Sequence, residues 1–162
     1  MRFSRYITEQ KEKEIVIAVG LPASGKSTYI KRNYKNHIVV SNDIIVDKYA
    51  VQNKIDYNEA FERIGKSKII QLGMKDFKKA LKTGKNIILD NTNLTKSIRK
   101  QYLDLSEGYK KIALIFKIGK KEMQKRLKGR EGKTIPDEVI EKMERSYEEP
   151  TKLEGFDEMI KI

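Results

Sequence analysis

Residues 20–27 read Gly-Leu-Pro-Ala-Ser-Gly-Lys-Ser, the G-x-x-x-x-G-K-[ST] spacing of a phosphate-binding loop, and no other stretch restricts the chain's fold and chemistry so tightly. Such a loop wraps backbone N–H groups around phosphates with no Cβ atom in the way, which accounts for Gly20 and Gly25. Lys26 sets a cation against the outer phosphates, and Ser27 offers a hydroxyl to Mg²⁺. The apolar run Ile-Val-Ile-Ala-Val at residues 15–19 reads as a buried strand entering the loop. Residues 26–34 read as a helix leaving it, N-terminus toward the phosphates. Together these features predict a nucleoside triphosphate site.

Strands and helices alternate along the rest of the chain, which is the α/β pattern. Short strands are expected at residues 37–40, 86–90 and 111–116, with a closing strand at 156–162. Helices are expected at residues 43–49, 58–82, 95–105, 120–128 and from Pro136 onward. In the longest of these, Ile70, Met74, Phe77 and Leu81 repeat at helical spacing and predict a core-facing stripe. Val139, Ile140, Met143 and Tyr147 predict another in the last helix. His37, the single histidine, opens a strand and reads as structural.

At 162 residues the chain suits one compact domain, residues 1–162, with residues 1–13 as an N-terminal extension that the sequence allows either to pack as a helix or to stay loose. With no cysteine, the sequence excludes disulfides, thiolate metal sites and thiol catalysis. No apolar signal core or membrane-length segment is visible, so a soluble, cytoplasmic protein without a membrane partner is expected. The formal charge of +12 fits a nucleic-acid partner, and it fits equally a surface solvated by lysines.

Ligands of an open parallel sheet gather beyond the carboxyl ends of its strands, which here joins the loop at Gly20 to Asp43 and to residues 90–93. A carboxylate such as Asp43 can orient an acceptor hydroxyl and take its proton, or it can cap the helix after the second strand. Asp90 can hold Mg²⁺ or fix the Asn91–Asn93 loop by hydrogen bonds. The glycine-punctuated basic segment at residues 125–133 reads as a mobile lid or as a solvated charge run. A lid arginine would suit charge that spreads over a transferring phosphoryl group.

The order of these motifs resembles the phage-type polynucleotide 5′-hydroxyl kinase domain of the P-loop kinase superfamily, over residues 14–147. The matching pieces are residues 20–28, the Asn42-Asp43 pair, Thr92-Asn93-Leu94 with Arg99, and the run from Lys125-Arg126 through Arg130 to Pro136. The resemblance implies a three-layer α/β fold, with a four- or five-stranded parallel sheet flanked by helices and covered by a basic lid. It implies ATP with Mg²⁺ as donor and a DNA or RNA 5′-OH end as acceptor. Asp43 takes the general base's place. Gly20, Ala23, Ser24, Gly25, Lys26, Ser27, Thr28, Arg126 and Arg130 take the donor-phosphate places, Arg130 as the lid arginine. Ser27 and Asp90 are the metal-side residues, while Asp43, Thr92, Asn93 and Arg99 face the acceptor.

The chain departs from that pattern at two positions. Val46 replaces an arginine that helps to hold the acceptor's phosphate, and Asn91 holds the place of the metal-side carboxylate, the acid having moved to Asp90. No D-x-D-x-[TV] motif is present, so 3′-phosphatase activity is not expected. A kinase of a small metabolite, nucleoside or antibiotic is the nearest alternative. A nucleotide-gated binding module that hydrolyses ATP slowly is the alternative of a different class.

Overall fold

The computed structural model describes residues 12–162, so the expectation for the N-terminal extension lies outside the described residues up to position 11. Five strands form one sheet: β1 (Glu14–Val19), β2 (Ile38–Val40), β3 (Ile87–Leu89), β4 (Lys110–Ile115) and β5 (Glu158–Lys161). Their spatial order is β2-β3-β1-β4-β5, and every pair is parallel. The central strand explains the uninterrupted apolar run, because a parallel strand with helices over both faces has no side that meets water. Residues 15–19 are fully buried.

Successive β1 residues point to opposite faces and build two separate cores. Ile15, Ile17 and Val19 join Ile87, Leu89, Ala113 and Ile115 under helices α4 (Lys66–Lys82) and α5 (Lys96–Asp104), through Phe77, Ala80, Tyr102 and Leu103. Val16 and Ala18 join Ile88, Ile112 and Leu114 under helix α1 (Lys26–Asn33), through Ile30. The result is a sheet between two helical layers. Helices α6 (Lys120–Lys128) and α7 (Asp137–Ser146) connect β4 to β5, and a short 3₁₀ turn at Lys152–Glu154 precedes the last strand. His37 has the structural role expected of it: its Nε2 lies 2.8 Å from Glu14 Oε1, and its ring meets Tyr34 edge-on.

Between β2 and β3 the architecture differs from the sequence expectation. Helix α2 (Asn42–Asn53) runs four residues beyond the end read from the sequence, and the expected 58–82 helix is two helices, α3 (Tyr57–Ile64) and α4. Gly65 parts them at φ +81°, a left-handed backbone that ends one helix and begins the next. The signal for a separate α3 was present in Asp56-x-x-Glu59, whose aspartate caps the helix by accepting from Glu59 N at 2.8 Å. Once the helix is split, the apolar stripe of α4 shifts its phase. Ile69, Gly73, Phe77 and Ala80 are the buried set, while Ile70, expected in the core, is 48% exposed. Val139 is likewise exposed, and Ile140 carries the inner face of α7. Val46, Ala50, Ala60 and Ile69 form a third cluster that ties α2, α3 and α4 together beside the sheet.

Candidate active site

The carboxyl ends of β1, β2 and β3 open into one cleft, and the loop after β1 forms its floor. Gly20 passes so close to β4 that a Cβ there would lie 2.9 Å from the Phe116 carbonyl oxygen, and its N–H donates to Thr92 O at 3.1 Å. The loop then turns through two left-handed residues, Ala23 at φ +61° and Gly25 at φ +90°, before α1 begins at Lys26. That geometry leaves the N-terminal amides of α1 facing the cleft with no side-chain cap, the arrangement that receives phosphate.

Lys26 curls back over the loop and donates to Gly20 O at 2.9 Å and Leu21 O at 2.8 Å, with Ser24 Oγ at 3.3 Å. Burial pushes its ammonium down to about 8; Arg130 adds to the fall, whereas Asp90 and Asp43 oppose it. A cation withdrawn from water at a helix N-terminus gains much from an arriving anion. Asp90, at the end of β3, is pushed up by burial and held down by a hydrogen bond from Ser27 and by the charge of Lys26. Ser27 and Asp90 therefore face each other across the floor of the cleft. Thr28, the next residue of α1, is exposed.

Asp43 stands in the first turn of α2 with its side chain 55% exposed. Its two oxygens have different partners. Oδ1 accepts from the Tyr57 hydroxyl at 2.6 Å, and Oδ2 lies 3.7 Å from Lys133 Nζ. Lys133 also reaches Asp47 at 3.3 Å and sits 4.3 Å above the Tyr57 ring. The segment after α6 thus lies against α2 and α3, and Thr134 N donates to Asn58 Oδ1 at 3.3 Å. Tyr57, Asn58 and Lys133 were not singled out from the sequence. Tyr57 fell just before the helix expected at residues 58–82, Asn58 was that helix's first residue, and Lys133 was one of many basic residues.

Two arginines of this basic segment behave differently. Arg126 is anchored, donating to Ala23 O at 3.1 Å and pairing with Glu122 at 2.8 Å, so it braces the phosphate loop from outside. Arg130 is exposed and has no ion-pair partner among the described residues, yet its charge is felt by both Lys26 and Tyr57.

Asn93, Leu94 and Arg99 lie inside the protein, which corrects part of the acceptor-side expectation. Asn93, 2% exposed and at φ +47°, donates to Ala18 O at 2.8 Å and ties the loop after β3 to β1. Arg99 is completely buried. Its guanidinium is used up by Glu154, at 2.7 and 2.9 Å, and by the carbonyls of Asn93 and Leu94 at 3.0 Å each. The Arg99 side chain is committed to internal hydrogen bonds and does not face an acceptor, whereas Asn93 is committed only through Nδ2, its buried Oδ1 having no hydrogen-bond partner. Thr92 is partly exposed beside the floor of the cleft, and Asn91 caps α2 by accepting from Asn42 N at 2.9 Å.

No cluster of three or more His, Cys, Asp or Glu side chains occurs among the described residues. A cation here would be held by the Ser27 hydroxyl, the Asp90 carboxylate, donor phosphates and water, a set that suits Mg²⁺, which keeps much of its hydration. No described helix is long and apolar enough to cross a membrane.

Several known proteins are similar to this chain in sequence or fold. The bifunctional polynucleotide phosphatase/kinase of Schizosaccharomyces pombe (strain 972 / ATCC 24843) is 27% identical over 157 residues, 93% of this chain and 34% of that protein. The chain thus spans about a third of that relative's length. A chain in the structure of the Pnkp1/Rnl/Hen1 RNA repair complex is similar at 26% identity and a TM-score of 0.61, over 83% of this chain and 43% of that one. A gluconokinase from Sinorhizobium meliloti 1021 shares the fold at 14% identity and a TM-score of 0.59, over 93% of this chain and 82% of that one. The fold is that of the P-loop kinases, and the chain is similar to polynucleotide kinases in sequence. A family model described as an AAA domain matches residues 15–150, the phosphate loop and most of the sheet included, and the chain belongs to that family.

Proposed function

We propose that the protein is a polynucleotide 5′-kinase, which transfers the γ-phosphate of ATP to the 5′-hydroxyl of a DNA or RNA end. The observation that carries this reading is the position of Asp43. Its carboxylate stands beside the phosphate loop, close enough for its charge to act on both Lys26 and Asp90, and it is 55% exposed. A triphosphate seated on the amides of residues 20–27 would direct its outer phosphates toward that carboxylate. Similarity to the fission-yeast phosphatase/kinase supports a nucleic-acid end as the acceptor.

In this reaction Lys26 exchanges its loop carbonyls for β- and γ-phosphate oxygens. Ser27 and Asp90 would hold Mg²⁺, which offsets charge on the donor phosphates. Asp43 aligns the attacking hydroxyl and accepts its proton, and Arg130 closes over the phosphates as charge moves toward the leaving group. Replacing Asp43 by Asn keeps an oxygen for Tyr57 and removes the base. Transfer to a 5′-OH oligonucleotide is expected to fall by roughly 10²–10⁴-fold, with ATP affinity little changed. Near-normal turnover of the variant would exclude Asp43 as the base.

A kinase of a small metabolite has one specific observation in its favour. Val46 is fully buried in the α2–α3–α4 cluster, so the acceptor side has no cation at that position. Labelled ATP offered with 5′-OH oligonucleotides and with a panel of sugars and nucleosides separates the two readings. Steep loss of turnover with salt would accompany the polyanionic acceptor. Release of free phosphate alone, whatever the acceptor, would instead support the nucleotide-gated binding module.

A further inference from the structure

We propose that Tyr57 is a positioning residue for phosphoryl transfer, holding one oxygen of Asp43 so that the other faces the acceptor, while its ring seats the lid lysine Lys133. The inference rests on the kinase reading above and names a residue that reading does not require. It begins from a physical difficulty. A carboxylate in an exposed helical turn rotates freely, and its two oxygens interchange, whereas proton transfer needs one of them fixed within hydrogen-bonding distance of the acceptor.

Tyr57 supplies the constraint from the adjoining helix. Its hydroxyl donates to Asp43 Oδ1 at 2.6 Å, the length of a bond to an ionised acceptor. Tyr57 is itself held at the start of α3, where Asp56 caps the helix, the Phe61 ring stacks on its ring at 6.4 Å, and Ala60 is buried against α2. Its ring also carries Lys133, whose ammonium lies 3.7 Å from Asp43 Oδ2 and 3.3 Å from Asp47. Oδ2 is thus the oxygen that an incoming hydroxyl meets once Lys133 yields. Tyr57 cannot replace Asp43 as base: burial, the hydrogen bond to Asp43 and the charges of Asp43 and Asp47 all raise its pKa, and Arg130 offsets only part of this.

The step balances with Tyr57 as a spectator. The acceptor oxygen forms its bond to the γ-phosphorus, and its proton passes to Asp43 Oδ2. The bond from that phosphorus to the β–γ bridging oxygen breaks, its electron pair leaving with ADP, and Tyr57 keeps its proton throughout.

The test measures transfer from labelled ATP to a 5′-OH oligonucleotide by wild type, Tyr57→Phe, Asp43→Asn and the double variant, together with ATP affinity and melting temperature. Phe keeps the ring that seats Lys133 and loses only the hydroxyl. The expected result is a fall in kcat of about tenfold, on the scale of one lost hydrogen bond, with ATP affinity and melting temperature held. Adding Tyr57→Phe to Asp43→Asn should cost nothing more, because the two act as one unit. Unchanged kcat in Tyr57→Phe, or a loss that multiplies with that of Asp43→Asn, would overturn the proposal. A fall in ATP affinity matching the fall in kcat would overturn it too. If wild type leaves the oligonucleotide unlabelled, the acceptor assignment has failed. The same four proteins then decide the role of Tyr57 on the acceptor found by the panel.

Discussion

Arg99 and Glu154, 55 residues apart in sequence, form a two-pronged ion pair inside the protein, with side chains 0% and 9% exposed. The remaining guanidinium nitrogen holds the carbonyls of Asn93 and Leu94, and Thr151 N donates to Glu154 at 3.0 Å. The pair fastens the loop after β3 to the turn before β5. Removing one partner strands the other charge in the interior, so Arg99→Met is expected to cost about 3–5 kcal/mol and lower the melting temperature by roughly 10 °C. KM for the acceptor, measured below the transition, should stay at the wild-type value, since Arg99 does not reach the cleft. A raised KM at unchanged stability would return Arg99 to the acceptor site.

The same pair sets an acid limit. Burial pushes the Glu154 carboxyl up, but the hydrogen bonds from Arg99 and Thr151 and the charges of Arg99 and Lys96 outweigh it and hold the group below 4.5. A carboxylate with a lowered folded-state pKa contributes stability that is complete above its unfolded value and is lost as pH falls through the folded one. Stability followed by circular dichroism in urea should therefore fall as pH drops through the carboxylate range more steeply in wild type than in Arg99→Met.

The parts of this molecule legible in sequence are those whose cause is local. Residues 15–28 announce a strand, a loop and a helix because backbone approach to phosphate dictates the residue types, and residues 15–19 are apolar throughout because β1 is covered on both faces. The gathering of Asp43, Asp90 and the phosphate loop follows from a rule about parallel sheets. What stayed hidden depends on contacts distant in the chain. The spacing of Arg99 after Asn93 does not reveal that Glu154 waits 55 residues on. Nor does a basic run reveal that Lys133, and not its neighbours, lands on the Tyr57 ring. In α4 the periodicity was real but out of phase, because Ile69 and Ile70 are equally apolar and only the packing against Val46 and Ala60 chooses between them.

Lys26 makes nucleotide binding sensitive to mild alkali. With its pKa pushed down to about 8 by burial, the ammonium is mostly charged at pH 7 and mostly neutral at pH 9. Donor phosphates favour the charged form, so binding above pH 8 must draw a proton from solution. Apparent affinity for ATP should fall about tenfold between pH 7 and pH 9, and calorimetry in buffers of different ionisation heat should show proton uptake on the alkaline side. Lys26→Arg keeps a charge at every pH and should flatten the dependence, even where it weakens binding. A wild-type affinity constant across this range would mean that the loop does not bring Lys26 to the phosphates.

Variants of Asp90 and Ser27 would test the proposed metal site apart from the nucleotide site. The Ser27 hydroxyl and the charge of Lys26 hold the Asp90 carboxyl down, while burial makes the carboxylate costly to keep charged. Asp90→Asn removes a negative charge near the donor phosphates, so ATP binding without divalent cation, measured in EDTA, should hold or tighten. The Mg²⁺ concentration giving half-maximal tightening of ATP should rise by roughly tenfold or more, as expected when a partner of a metal site is lost. Ser27→Ala should act in the same direction, and the double variant should add little, since both residues would serve one ion. If Asp90 served only to fix the loop after β3, the variant would instead lower the melting temperature and leave the Mg²⁺ requirement where it was. The Asp90 carboxylate stands apart from the interior contacts of that loop, which run through Asn93 and Arg99. The metal requirement is therefore the quantity expected to move.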